Sequence, residues 1–310
     1  MDENKANMQQ ADDTPKGKQV SNVVFNVLII LLTLVIVFSA WKLVEISMSY
    51  IESRREYTEL RQFITLEEKT EKDSVQKPVQ AGSSPETLSS PEASASTDEE
   101  ERTGDQKEPE EKVFREPECS ISVDFDALWS VNPDIKGWVY LEELDISYPI
   151  VQGVDNDQYL YTSVKGTANS GGSIFMDSAN AGDFTDPHTL IYGHNMKDGS
   201  MFGKLKKLYD QNRIDNMDTT LCFWIITPSG KYRYDVFSVH TVDAAGDAYT
   251  LFSEQSEAVG EYLNKMARHT GVKLPQRVYN SKDKVVTLST CTGNDQLRLI
   301  VQGVLKTDTL

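Results

Sequence analysis

Three residues in the C-terminal half of the chain have side chains that suit covalent catalysis. Cys291 ends the apolar, β-branched run VVTLSTC, His194 follows the run TLIYG, and Arg298 lies in the next apolar run, LRLIVQGVL. A cysteine nucleophile needs a proton carrier and donors that stabilise a developing oxyanion. We therefore interpret these residues as a candidate acyl-transfer site, although cysteine and histidine residues at strand ends also occur together in unrelated proteins.

Short β-strands are the elements that would position these residues. Eight β-rich runs are separated by clusters of Asn, Asp, Gly and Pro: GWVYL, SYPIV, GSIFM, HTLIYG, TLCFWIIT, KYRYDVFSVHTV, KVVTLST and LRLIVQGVL. Regularly spaced short strands are typical of a β-barrel or sandwich. Two helical patterns accompany them, FDALWSV at residues 125–131 and a longer one at 253–270. We predict one mainly β domain over residues 119–310.

The N-terminal region contains a membrane-span signal. Residues 23–41, VVFNVLIILLTLVIVFSAW, carry no charge over 19 positions, which is long enough for a helix that crosses a hydrocarbon core. It has no small-residue cleavage site, so we expect an uncleaved signal anchor behind a cytoplasmic tail at 1–22. Basic residues flank the span on both sides and do not decide its orientation. The tail is too short to hold a domain, so we expect the C-terminal part outside the cell.

Two further segments follow the span. Apolar side chains at helical spacing predict a juxtamembrane helix over residues 42–69. Residues 70–118 are rich in Ser, Pro and Glu, which predicts a flexible tether. Residues 71–118 hold 14 acidic and 6 basic side chains, so they contribute −8 of the chain's net charge of −17. This negative charge argues against nucleic acid as a partner.

The chain lacks the usual motifs for metals and organic cofactors. Its three cysteines and four histidines show no zinc-ligand spacing. The segment DNDQYLYTSVKG begins like a calcium loop but has Leu160 at the sixth position and Gly166 at the twelfth. We therefore expect neither a metal nor a cofactor. Cys222 lies in an apolar strand, where we expect a buried free thiol, and Cys119 opens the domain.

The motifs around the candidate residues resemble those of the sortases, membrane-bound cysteine transpeptidases of Gram-positive bacteria with a T-L-x-T-C motif. The matching segments are TLSTC at 287–291, YGHNM at 192–196 and Arg298 in the next strand. LWSVNPDIKGWVYLEELDISYPIV, GSIFMDSAN and IYGHNMKDGSMFGKL are similar to the class B branch. The resemblance covers about residues 125–304. It implies a closed β-barrel of about eight strands with an N-terminal helix. It also implies a long helix between the two strands that precede the cysteine strand.

The resemblance also implies roles for individual residues. Cys291 would attack the carbonyl of a threonine near the C-terminus of a secreted protein and form a thioester. His194 would protonate the departing amine and later take a proton from the incoming one, while Arg298 would orient the substrate and stabilise the oxyanion. Further substrate contacts are expected from Asn156, Leu160 and Ser289, which match groove positions, and from Thr292, whose backbone N–H would be a second oxyanion donor.

The expected partners are secreted proteins with a C-terminal sorting signal and an amine from a peptidoglycan precursor or a pilin. Two alternatives stay open at this point. A cysteine peptidase on the same fold would hydrolyse the thioester with the same three residues. A non-catalytic wall-spanning adhesin or scaffold would not need all three residues, so their joint presence disfavours it.

Overall fold

The computed structural model describes residues 16–67 and 115–307. Its helices are α1 (Lys16–Leu60), α2 (Phe125–Val131), α3 (Gln211–Asp215) and α4 (Glu257–Arg268). Its strands are β1 (Ile64–Leu66), β2 (Ile121–Val123), β3 (Ile135–Leu141), β4 (Ile146–Val151), β5 (Ile174–Met176), β6 (His188–Tyr192), β7 (Cys222–Thr227), β8 (Gly230–Asp243), β9 (Val285–Cys291) and β10 (Leu297–Leu305).

Eight of these strands form a closed barrel in the order β10, β8, β7, β3, β4, β5, β6, β9, and the pairing of β9 with β10 closes it. Most pairs are antiparallel, but β4 with β5 and β6 with β9 are parallel. Large side chains such as Trp138, Phe202 and Phe223 are fully buried in the main core. The closed eight-stranded barrel that the sortase resemblance implied is thus confirmed, as is the predicted helix at 125–131, which is α2.

The long helix predicted over residues 253–270 is present as α4, but it lies at a different point in the strand order. We expected it between the two strands that precede the cysteine strand, whereas it connects β8 to the cysteine strand β9 itself. Both β8 and β9 run antiparallel to β10, which lies between them, so they are parallel to each other. Parallel strands need a long crossover, usually a helix. Val259, Leu263 and Met266 of α4 form the apolar cluster that covers this part of the barrel.

α1 is one continuous helix that contains both the apolar span and the start of the predicted juxtamembrane segment. Among the described residues, it holds the one stretch long and apolar enough to cross a membrane, and that stretch is not buried against the protein. The helix ends at Leu60, and residues 64–66 form β1, so the helix predicted over 42–69 is too long. Most of the predicted tail, residues 1–15, lies outside the described residues.

The chain after the span is part of the folded domain rather than a separate connector. Tyr57 and Leu60 are 6% and 1% exposed and belong to the main core. β1 then pairs with β2. Arg115, the first residue of the second described range, forms an ion pair with Asp218. The folded unit is therefore larger than the predicted 119–310, because the apolar face at the end of α1 needs the barrel to cover it.

The predicted tether has both ends attached to this domain. Residues 70–114 of it lie outside the described residues, whereas residues 115–118 lie against the domain. Glu67 precedes the gap and donates its backbone N–H to Ser120 O over 2.8 Å, close to the point where the chain returns. The described chain on both sides of the acidic segment is therefore attached to the domain, so this segment does not connect the domain to the apolar span.

We expect that a cut within residues 68–114 leaves the two pieces of the chain associated. The pairing of β1 with β2 and the burial of Tyr57 and Leu60 hold the α1 piece to the barrel without a covalent link. A chain with a specific protease site inserted in this segment should elute as one species in detergent after complete cleavage. Leu60→Asp in the same cleaved chain is the matched control and should release the pieces. Separation without that substitution would contradict the docking.

A buried histidine lies at the start of β6. The position of His188, after Pro187 and before a strand, favours a surface location, but the structure buries it fully because Tyr262 of α4 packs over it at 5.2 Å. His188 Nδ1 donates to Thr250 O over 2.7 Å, and Nε2 accepts from the Thr287 hydroxyl over 2.8 Å. Burial lowers the pKa of His188 to about 4, because a charged imidazolium is poorly solvated there. His188 is therefore a neutral structural residue.

The free energy of unfolding should fall as the pH drops from 6.5 to about 4. Above this window His188 is neutral in both states, and within it the unfolded chain binds a proton that the folded chain does not. The pKa difference corresponds to a loss of about 3 kcal/mol. Urea midpoints of His188→Gln should depend less on pH than those of the unchanged chain, and His240, whose pKa is also lowered to about 4, should contribute a dependence of the same sign in both chains. Identical pH profiles for the two chains would contradict the assignment.

Candidate active site

A cavity of about 340 Å³ opens where β6, β9 and β10 meet at one end of the barrel. Six of the seven predicted site residues line it: Cys291, His194, Arg298, Asn156, Leu160 and Ser289. Aromatic side chains complete its wall, among them Phe175, Tyr192 and Tyr249. The structure therefore brings together residues that lie up to 142 positions apart in the chain (156 to 298).

The parallel pairing of β6 with β9 brings the histidine and the cysteine to the same edge. Tyr192 and Ser289 are Cα partners in this pair. Because parallel strands advance together, the residues two positions further on, His194 and Cys291, lie at matching levels. Gly193 donates its backbone N–H to Ser289 O over 3.0 Å, which extends the register beyond β6.

Asn195 provides a side-chain link between the two loops. Its Nδ2 donates to Cys291 O over 2.8 Å, so the residue after the imidazole holds the backbone of the candidate nucleophile. Gly193, on the other side of His194, has no room for a side chain, because a Cβ there would lie 2.4 Å from Ile174 Cδ1. Both residues stand in the YGHNM segment, in which the resemblance implies a role for His194 alone.

Arg298 reaches the cavity from the strand opposite the cysteine. Arg298 and Cys291 are Cα partners in the antiparallel β9–β10 pair, which places both side chains on the same face of the sheet. Arg298 Nη1 donates to Asp295 O over 2.8 Å and to Leu297 O over 3.0 Å. These contacts hold the guanidinium by one nitrogen and leave Nε and Nη2 without a hydrogen-bond partner among the described residues. The free donors suit a group that binds an anionic or carbonyl oxygen.

The ring of His194 is held by a backbone carbonyl. His194 Nε2 lies 2.6 Å from Leu160 O, and since a carbonyl oxygen only accepts, Nε2 carries the proton. Nδ1 is then the ring nitrogen without a hydrogen bond among the described residues, and it can exchange protons with a substrate. Tyr161 packs beside the imidazole, with 5.6 Å between ring centroids. Leu160 thus contributes both its side chain to the cavity wall and its carbonyl to the histidine.

Asn156 belongs to a hydrogen-bond network behind the cavity wall. Its Nδ2 donates to Asp177 Oδ2 over 3.0 Å, and its Oδ1 accepts from the Ser178 N–H over 2.8 Å. The Tyr192 hydroxyl donates to the same Asp177 oxygen over 2.8 Å. Burial and the contact with the Asp177 carboxylate raise the pKa of Tyr192, so its hydroxyl stays neutral. The network fixes the amide of Asn156, and one of its N–H groups has no partner among the described residues.

Ser289 and Thr292 differ in their relation to the cavity. The Ser289 hydroxyl lies 2.8 Å from the hydroxyl of Tyr249, which comes from the loop between β8 and α4 and which no sequence motif indicated. Thr292 does not line the cavity, and its exposed hydroxyl donates to Leu297 O over 3.2 Å. The role expected for Thr292 involved its backbone N–H and stays a prediction.

The described part of the chain offers no cluster of three His, Cys, Asp or Glu side chains arranged to hold a metal ion. The three cysteines are free thiols, of which Cys222 is buried, as expected from its strand. Cys119 and Cys291 are half-buried. The cavity brings together the thiol of Cys291, the imidazole of His194 and the guanidinium of Arg298.

Cys291 should be the first thiol to react with iodoacetamide at neutral pH. Burial raises the pKa of Cys222 to about 12 and also raises the pKa of Cys119, and both shifts suppress the reactive thiolate. Peptide mass mapping of the folded chain should show Cys291 modified well before the other two, which become accessible only after denaturation. The Cys291→Ala chain is the control and should take up label slowly. Earlier modification of Cys222 would contradict this order.

The sequence and fold match known proteins. A family model described as a sortase domain matches residues 139–306. Sortase B of Listeria monocytogenes is 35% identical over 185 residues, which cover 58% of this chain and 73% of that protein. The crystal structure of sortase B from Bacillus anthracis in complex with AAEK1 is 36% identical, with a TM-score of 0.52, over 58% of this chain and 83% of that one. A sortase B complexed with triglycine is 27% identical, with a TM-score of 0.53, over 59% of this chain and 85% of that one.

Proposed function

This chain belongs to the sortase family of cysteine transpeptidases, in its class B branch, and we propose that Cys291, His194 and Arg298 catalyse its reaction. The family anchors proteins to the cell wall. The observation that carries the proposal is the pairing of β9 with both β6 and β10, which brings these three side chains into one cavity. Neither Cys119 nor Cys222 lines that cavity.

In the first half of the reaction, the Cys291 thiolate attacks the carbonyl carbon of a threonine in the sorting signal. The bond from this carbon to the following nitrogen breaks, and protonated His194 gives its proton to the departing amine. The product is a thioester between the substrate and Cys291, with a neutral imidazole beside it. The unpaired Nδ1 of His194 is the ring atom available for this transfer.

In the second half, an amine attacks the thioester carbonyl and loses a proton to His194. The new amide bond forms, the carbon–sulfur bond breaks, and the Cys291 thiolate is restored. Both halves pass through a tetrahedral oxyanion, which the free donors of Arg298 stabilise. The backbone N–H of Thr292 is a second candidate donor, although its side chain lies outside the cavity.

The cavity wall supports a role in binding the sorting signal. Leu160 supplies an apolar surface, and Asn156 supplies an amide N–H that its network leaves without a partner in the described structure. Ser289 lies two residues before Cys291 on β9, and its hydroxyl hydrogen-bonds to that of Tyr249. A small number of placed polar groups in an apolar pocket is typical of specific ligand sites. By family resemblance, we propose a substrate of the form x-P-x-T, cleaved after the threonine.

The acceptor is an amine of the cell envelope, from a peptidoglycan precursor or a pilin. The solved sortase B that is complexed with triglycine supports a glycine-type amine as a first probe. Such substrates lie outside the cell, so we propose that α1 crosses the membrane once, with residues 1–22 in the cytoplasm, 23–41 in the bilayer and the barrel outside. The membrane-proximal part of α1 then places the barrel next to the membrane.

Turnover of an x-P-x-T peptide by the full-length chain in detergent should be accelerated by triglycine, which should appear covalently joined to the threonine. Binding makes the attack of the amine effectively intramolecular, so it can compete with the large excess of water. Hydroxylamine should trap the thioester as a hydroxamate. Cys291→Ala should abolish all products, whereas Cys222→Ala, altered at a buried site away from the cavity, should retain them.

Two outcomes would overturn the proposal. If Cys291→Ala retains turnover, the nucleophile is a different group. If triglycine and diaminopimelate-containing stem peptides leave the rate unchanged and only free acid forms, the chain acts as a peptidase on the sortase fold.

A further inference from the structure

The end of α1 that follows the membrane span packs closely against the active-site loops. Ser53, Glu56, Tyr57 and Leu60 are between 1% and 6% exposed. Their i, i+3, i+4, i+7 spacing puts them on one face of the helix. Burial of a carboxylate such as Glu56 is costly unless hydrogen bonds compensate for it. The contacts of this face are therefore specific and not only apolar.

The polar contacts of this face are with the loop between β4 and β5, residues 152–173. Glu56 Oε1 accepts a hydrogen bond from the Lys165 backbone N–H over 2.9 Å. The Tyr57 hydroxyl donates to Gly172 O over 2.8 Å. Both partners are backbone groups, so these contacts with α1 fix the backbone conformation of the loop.

The same loop supplies the carbonyl that orients His194. Leu160 O accepts the hydrogen bond from His194 Nε2 over 2.6 Å. Gly172 packs directly against this carbonyl, because a Cβ at Gly172 would lie 2.3 Å from Leu160 O. The φ of +51° at Gly172 is one that glycine adopts without strain. Tyr57 therefore hydrogen-bonds to Gly172, the same residue that packs against the Leu160 carbonyl.

A second set of contacts reaches the loop that follows the imidazole. The ring of Tyr57 packs edge-to-face on Tyr148, with 5.2 Å between centroids. The Tyr148 hydroxyl accepts from the Met201 N–H over 3.0 Å. Arg54 forms an ion pair with Asp198 at 3.0 Å. One helix thus contacts the loops on both sides of the ring.

We propose that Glu56 and Tyr57 are positioning residues for His194, so that the membrane anchor also determines the geometry of catalysis. The proposal rests on the proposed role of His194 as the proton carrier. The imidazole has a single hydrogen bond among the described residues, to Leu160 O, and it must serve two different amines in turn. A misplacement of about 1 Å can cost a hundredfold in rate.

The kinetic test compares Tyr57→Phe and Glu56→Gln with matched controls on the same helix, Tyr50→Phe and Glu52→Gln. Among the described contacts, neither Tyr50 nor Glu52 makes a hydrogen bond to the loop at 152–173. In the full-length chain in detergent, the double variant of Glu56 and Tyr57 should lose between about tenfold and a hundredfold in kcat, with KM for the peptide nearly unchanged. The rate at which iodoacetamide modifies Cys291 should not change. The two controls should keep the kcat of the unchanged chain.

A spectroscopic test does not depend on activity. The chain has four histidines, so the ring signals of a chain labelled with carbon-13 at histidine can be assigned by single substitutions. Tyr57→Phe should shift or broaden the signal of His194 and leave those of His188, His240 and His269 in place. If the unchanged chain has no transpeptidase activity but the His194 signal moves, the proposed function fails and the positioning stands. An unmoved His194 signal, or a loss of kcat shared by the controls, would overturn the positioning.

Discussion

The parallel pairing of β6 with β9 is the interaction on which the proposed active site depends. An antiparallel pair would have placed the ends of these strands at opposite edges of the barrel, with the imidazole far from the thiol. The parallel register instead carries both chains to the same edge, where Gly193 and Asn195 tie His194 to the cysteine strand. β10 then adds Arg298 directly opposite Cys291. The geometry of the proposed site is therefore set by the backbone pairing of β9 with β6 and β10, together with one side-chain hydrogen bond from Asn195.

β8 and β9 also run parallel to each other, on either side of β10, and consecutive strands that run parallel need a long connection. The crossover before β9 contains α4 and the loop that supplies Tyr249 to the cavity. The same crossover covers one side of the barrel and buries His188 beneath Tyr262. The long connection from β8 to β9 thus accounts for three features. It covers one side of the barrel, it buries the neutral His188, and it adds Tyr249 to the cavity wall.

Helix α1 joins the apolar span directly to the folded domain. A flexible link would let the domain move freely at the membrane surface, but α1 runs without a break from the span into the core of the domain. In the proposed topology, the barrel is consequently held close to the membrane. The chain on either side of residues 68–114 belongs to this docked region, because β1 before the gap pairs with β2 after it.

The sequence by itself indicated the family, the number of barrel strands and the apolar span. Cys291, His194 and Arg298 could be proposed as catalytic residues because of their positions at or near β-rich runs and because the TLSTC and YGHNM motifs are specific. The helix at 253–270 could be predicted from its apolar periodicity, but its place in the strand order could not, because that depends on which strands are parallel.

Only the tertiary structure decided the contacts between distant segments. The docking of Tyr57 on Gly172, the support that Leu160 O gives to His194, and the contribution of Tyr249 to the cavity each join residues at least 34 positions apart. The burial of His188 depends in the same way on a helix far along the chain. No local pattern encodes such contacts, because they follow from barrel closure and from the surfaces that closure leaves to be covered.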